Sequence, residues 1–198
     1  MRIVSSLFVL VVVTGLAGIS FGADPNDHLT DERLSIHTLI REDLFAGWRA
    51  GNLERLERGE QNLEKLLELR PDARAELLAW RGGNELVRAI LAHESNEEAK
   101  FLQHMRSSKE AFDEAKSLAP KNGGVASLLG GSHAMLADRL PETYRKTAWA
   151  NAYEGYQILW EQQKSYVEKM PLHMRGELLA GLTQSSLRTG REEEYAKY

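Results

Sequence analysis

The residues with the most chemical promise are four aromatics, Trp149, Tyr153, Tyr156 and Trp160, spaced by four, three and four. On a helix that spacing puts all four on one face. Such a face makes an aromatic wall for peptide side chains or sugars, or the packed seam of a long helix. The seam is the commoner fate of an apolar stripe, and tyrosine hydroxyls within it still reach the rim. The histidines are His28, His37, His93, His104, His133 and His173. No two stand four apart, and neither HExxH nor Glu-x-x-His occurs, so the helical metal-site spacings are missing. Surface or cap positions are the expectation for these side chains, and no metal or other cofactor is expected.

Nucleophile and phosphate-loop patterns are missing as well. Ser107-Ser108-Lys109 and Gln184-Ser185-Ser186 lack the GxSxG elbow. The glycine pairs Gly82-Gly83, Gly123-Gly124 and Gly130-Gly131 form neither GxxxxGK[ST] nor GxGxxG. Their plain use is close helix contact and capping. With no cysteine in the chain, disulfides, thiolate catalysis and Cys-ligated metal are excluded. The formal charge is −4 and no Lys/Arg block occurs, which argues against a nucleic-acid partner. No catalytic constellation emerges, and a non-enzymatic role is expected.

These residues sit on a chain that reads as helical throughout. Pro71, Pro120 and Pro171, which lie 49 and 51 residues apart, each end one periodic apolar pattern and precede another. Small-residue clusters follow them at Leu77–Gly83, Ser127–Gly131 and Leu178–Leu182. Seven helices are expected. The first is capped by Thr30 or Asp31 and ends at Ala50-Gly51-Asn52, and the second stops at Arg70-Pro71. The third runs from Asp72 to Glu94. Gly82-Gly83 would either break it or let it continue at a cost of about 2 kcal/mol against alanine, and continuation is favoured. Ser95–Glu98 reads as the cap of the fourth helix, which ends before Pro120. The fifth is small and apolar, the sixth spans Glu142 to Lys169, and the seventh follows Pro171. Arg191–Tyr198 begins an eighth. The flank carrying Leu178, Leu179 and Leu182 then needs cover from a second copy (a homodimer through the C-terminal end), from Glu192–Tyr198 folding back, or from further chain.

Met1–Asp24 has the three-part layout of a secretory signal peptide: a minimal positive start, an apolar run over Ile3–Val13, and small Ser20 and Gly22 that suit cleavage after Gly22, with cleavage after Ala23 the alternative. The apolar run is short for a span of about 20 residues, so no membrane span is expected in the mature chain. No Asn-x-Ser/Thr acceptor is present. The chain is expected to be exported, to a bacterial periplasm or the extracellular space, as a signal peptide over 1–22 and one helical domain over 23–198.

The phrase from Phe112 through Ala115 to Pro120 resembles the second helix of a tetratricopeptide repeat, with its aromatic, small residue and closing proline. Leu63 and Pro71 keep the same spacing, Gly59 precedes Leu63 by four, and Gly47 fits the first-helix glycine. The step here is nearer 50 residues than the family's roughly 34, and Gln163 stands where the third unit should have an aromatic. The resemblance implies an all-α, right-handed α-solenoid of stacked antiparallel helix pairs, in units of about 30–71, 72–120, 121–171 and a partial 172–198. It further implies a concave groove that binds a peptide or protein, with Arg41, Trp48, Arg175 and Ser185 as lining residues by register. An interaction or scaffold module is therefore the expected function. The alternative is a helical bundle holding a small ligand or metal in a pocket walled by the aromatic stripe.

Overall fold

Local signals start and stop each long helix. Ser35, Asn52 and Asn122 accept hydrogen bonds from the backbone N–H groups of Thr38, Arg55 and Val125, each at 3.1 Å, so each satisfies an end donor that the helix cannot. Gly51 and Gly190 take the left-handed conformation that closes a helix C-terminus (φ 65° and 72°). Arg70, held non-helical before Pro71, ends another helix.

The computed structural model describes residues 27–198; the signal segment and its cleavage points Gly22 and Ala23 lie outside them. Among the described residues the chain forms α1 (Asp27–Thr30), α2 (Ile36–Ala50), α3 (Leu53–Leu69), α4 (Arg74–Glu94), α5 (Glu98–Leu118), α6 (Gly123–Leu136), α7 (Glu142–Gln163), α8 (Leu172–Arg188) and α9 (Glu192–Tyr195), with no strand. The seven long helices, α2 to α8, are those expected. None of the described helices is long and apolar enough to cross a membrane.

Several details differ from expectation. Ser35, not Thr30 or Asp31, caps α2; Thr30 closes α1, and the Asp31 carboxylate is held by Arg33. No side chain of Ser95–Glu98 caps α5. Instead Asn96 turns left-handed (φ 59°), its N–H reaches the His93 carbonyl and that of Glu97 reaches Ala92. This is a Schellman closure of α4, with asparagine in glycine's usual place. The sixth long helix, α7, stops at Gln163 instead of Lys169, and a 3-10 turn covers Val167–Lys169. The break turns Val167 and Met170 inward onto Leu178 and Leu182.

The helices pack in sequential pairs: α2 with α3, α4 with α5, α6 with α7, and then α8 on α7, while α4 also lies along α6. Small residues make the pairs close. A Cβ on Gly82 would stand 2.8 Å from the Phe112 ring, and one on Gly47 would stand 2.5 Å from the Leu56 Cβ. Hence α4 runs unbroken through Gly82-Gly83. One large core extends from Leu29 and α2 through α4 to Leu136 and Trp149, and a second gathers Tyr156, Leu159, Val167, Met170, Leu178 and Leu182. Leu178 and Leu182 are thus buried within the chain, so the flank that motivated a homodimer is largely covered by α7. The segment after Gly190 folds back: Gln157 Nε2 donates to the Tyr198 hydroxyl at 2.6 Å, and the Trp160 and Tyr198 rings meet edge to face.

Candidate functional site

Residues four apart on a helix share a face, and on α2 that rule lines up His37, Arg41, Phe45 and Arg49. The Phe45 ring is half-buried. The guanidinium carbon of Arg41 lies 4.9 Å from its centroid and that of Arg49 lies 5.1 Å from it, both within cation–π range. Beneath Phe45 is a floor of indoles. Trp48 stacks on Phe45 at 5.1 Å, and Trp80 of α4 meets Phe45 edge-on at 6.1 Å. Trp80 also meets Trp48 at 6.0 Å and the His37 ring at 5.7 Å.

This floor is held by a chain of polar contacts joining three helices. Trp48 Nε1 donates to Asn84 Oδ1 at 3.4 Å, and Asn84 Nδ2 donates to Glu60 Oε1 at 2.7 Å. Arg88 Nε donates to the same carboxylate at 2.6 Å, and its Nη2 grips the other oxygen. A fork on a carboxylate is directional as well as strong, so α2, α3 and α4 are fixed in register around the rings. Gly83 leaves the room: a Cβ there would stand 3.0 Å from Trp48 Cη2.

The electrostatics of the face are cationic at its rim. Arg49 makes no ion pair or hydrogen bond among the described residues. Arg41 pairs only with Glu42, beside it in sequence, at 2.6 Å and with the Glu42 side chain 72% exposed; such pairs hold little energy. Burial, then the Arg41 charge, push His37 below the usual histidine range, while Glu42 and Glu177 of α8 pull the other way. Below the floor, the Arg70 Nη1 group is buried with no hydrogen-bond partner, while the buried Trp80 Nε1 is within reach of the Glu76 carboxyl one turn earlier on α4. Burial holds the Glu76 carboxyl above its ordinary range, against smaller opposing effects of Trp80 and Arg70.

Arg41 and Trp48 therefore come together, Arg41 at the rim and Trp48 in the floor, only 6% exposed. Arg175 and Ser185 do not join them. Arg175 Nη1 pairs with Glu168 at 3.3 Å at the start of α8, and Ser185 is fully buried, its hydroxyl donating to the Gly181 carbonyl at 2.6 Å. From α8 it is the charge of Glu177 that reaches the α2 face. The aromatic stripe divides: Trp149 and Tyr156 are core, while Tyr153 and Trp160 are half-buried under the C-terminal segment. Tyr156 packs against Gly181, and burial pushes its hydroxyl up to about 12. Phe45, Arg49, Trp80, Asn84 and Glu60 escaped the sequence reading. The four-residue steps from Arg41 to Phe45 and Arg49 were the available signal.

The histidines need one correction. His133 is buried, not at a surface or cap. Its Nδ1–H donates to the Leu129 carbonyl at 2.9 Å, its Nε2 accepts from Asn151 at 3.2 Å, and its ring lies against Phe112. Among the described residues no three His, Asp or Glu side chains gather as a metal site would require. The hollow between α5, α6 and α7, lined in part by Lys116, Val125, Leu129 and Ile158, measures about 10 Å³. That is room for one water; a larger hollow of about 450 Å³ lies open on the surface of α3, lined by Glu57, Glu60, Gln61, Glu64 and Lys65. Compared with protein families, curated proteins and solved structures, the chain finds no match.

Proposed function

We propose that this chain is an exported, tetratricopeptide-like helical-repeat module that binds a peptide segment of another protein on its first-helix face and catalyses no reaction. The observation that carries the reading is Phe45, half-open between two arginines and seated on Trp48 and Trp80. Aromatic and arginine side chains on a rigid base are the residues that concentrate binding energy at interfaces. Here the base is preorganised by the Trp48–Asn84–Glu60–Arg88 chain, so little ordering remains to oppose association.

Support for the repeat comes from the recurring contact of a first-helix glycine with the second helix of its pair: Gly47 on Leu56, Gly82 on Phe112, Gly130 on Tyr156 and Gly155. Stacked pairs of this kind expose the first helices side by side as an extended surface. Support for export is the layout of Met1–Asp24. The test is selection from a displayed random-peptide library, with wild type and Phe45→Ala in parallel. The reading expects a defined set of peptides retained by wild type and lost by the variant. No enrichment, or the same peptides on both proteins, would defeat it.

A further inference from the structure

Among the described residues about half of the arginines are engaged by carboxylates from other parts of the sequence. Arg55 and Arg58 share Asp43, Arg88 holds Glu60, Arg139 holds Glu94 and Arg188 holds Asp138. The chain has 29 acidic against 25 basic residues, so acids are in supply. Arg49 has none, as is also true of Arg106, Arg145 and Arg191, and Arg41 has only its exposed neighbour Glu42. Arg41 and Arg49 are the two arginines that flank Phe45.

We infer that Arg41 and Arg49, on the half-open Phe45 ring, form a docking site for an acidic peptide segment that places one carboxylate on each guanidinium. Each guanidinium carbon lies about 5 Å from the ring centroid, so the two lie within roughly 10 Å of each other. Alternate residues of an extended strand point the same way about 6.6 Å apart. Acids at positions i and i+2 therefore reach both forks without bending the segment. Guanidinium forks bind carboxylates bidentately, and stacking on an aromatic ring leaves their N–H edges free to do so. The Glu42 contact competes weakly, because an exposed pair between sequence neighbours exchanges with water at little cost. A basic segment would meet two like charges at the rim and is disfavoured.

This inference rests on the peptide-binding reading and narrows it to a charge class. The probes are fluorescein-labelled hexaglutamate, hexaglutamine and hexalysine, titrated by anisotropy at low and physiological salt. The proteins are wild type, the double variant Arg41→Ala/Arg49→Ala, and Arg106→Ala as a control at an exposed arginine of α5, with circular dichroism confirming helicity. Hexaglutamate is expected to bind wild type and Arg106→Ala alike, more weakly as salt rises, and about tenfold or more weaker on the double variant, the loss that follows from removing charge-assisted contacts. Hexaglutamate binding no tighter than hexaglutamine, or unchanged by the double substitution, overturns the inference. If library-selected peptides without acids still depend on Phe45, the charge class alone is overturned; if no peptide depends on Phe45, the peptide-binding reading falls with it.

Discussion

Gly155 of α7 lies so close to Gly130 of α6 that a Cβ on Gly155 would stand 2.6 Å from the Gly130 nitrogen and 2.7 Å from the Ala126 carbonyl oxygen. Both neighbours are backbone and cannot rotate away. Gly155→Ala should force α6 and α7 apart and cost about 1–3 kcal/mol, the usual range for overpacking. Gly176 of α8 has nothing within 4 Å of its Cβ position, so Gly176→Ala should stabilise by about 0.5–1 kcal/mol through helix propensity alone. Urea denaturation of the two variants checks the contrast in sign.

Asn84 is 4% exposed and hands the Trp48 indole N–H on to the Glu60 carboxylate. Asn84→Leu would leave a buried donor without an acceptor and remove one bond from Glu60. The expected loss is about 1–3 kcal/mol, read by denaturant midpoint, with the Trp48 indole proton resonance moving.

His133 makes stability depend on acid. Its ordinary value is 6.5, and burial lowers it to about 4 in the folded chain, with Lys116 adding to the effect while the Leu129 carbonyl and Glu154 oppose it. Between those values the unfolded chain takes up a proton that the folded chain refuses. The contribution is whole above pH 6.5 and falls away as pH drops towards 4, by roughly 3 kcal/mol in all. His37, lowered chiefly by burial, acts in the same sense. Stability measured from pH 7 to pH 4 should decline less steeply in His133→Leu than in wild type.

The helices were legible because their signals are local. Pro71, Pro120 and Pro171 each mark a joint, and the apolar stripes of α2 to α5 repeat at helical spacing. The end of α7 was misread because Val167 and Met170 continue the apolar pattern past Gln163; only their contact with Leu178 and Leu182, on the next helix, reveals the turn. The site was half legible. Arg41 was named from a family register, which led to Ser185 in the core and passed over Phe45 and Arg49, although plain four-residue steps from Arg41 reach both. Trp80 and Asn84 meet Trp48 only once α4 is packed on α2, and His133 is buried only once Asn151 of α7 is in place. Contacts of that range leave no local trace.

The C-terminal segment should open on its own. Burial, then the hydroxyl's donation to Glu194, drives Tyr153 above the usual tyrosine range, and Arg191 lies 4.3 Å over the same ring. Tyr198 adds its contacts with Gln157 and Trp160. Tyr198→Ala should speed amide exchange over residues 191–198 by about tenfold while leaving exchange in α4 unchanged, as local opening predicts.

The most direct test of the binding surface is an ¹⁵N nuclear magnetic resonance titration of the chain with one library-selected peptide. The account predicts shifts concentrated at His37, Arg41, Phe45 and Arg49 and at the Trp80 indole N–H, which is buried beneath them. Shifts confined to other faces of the molecule, with these five resonances unmoved at saturation, would contradict it.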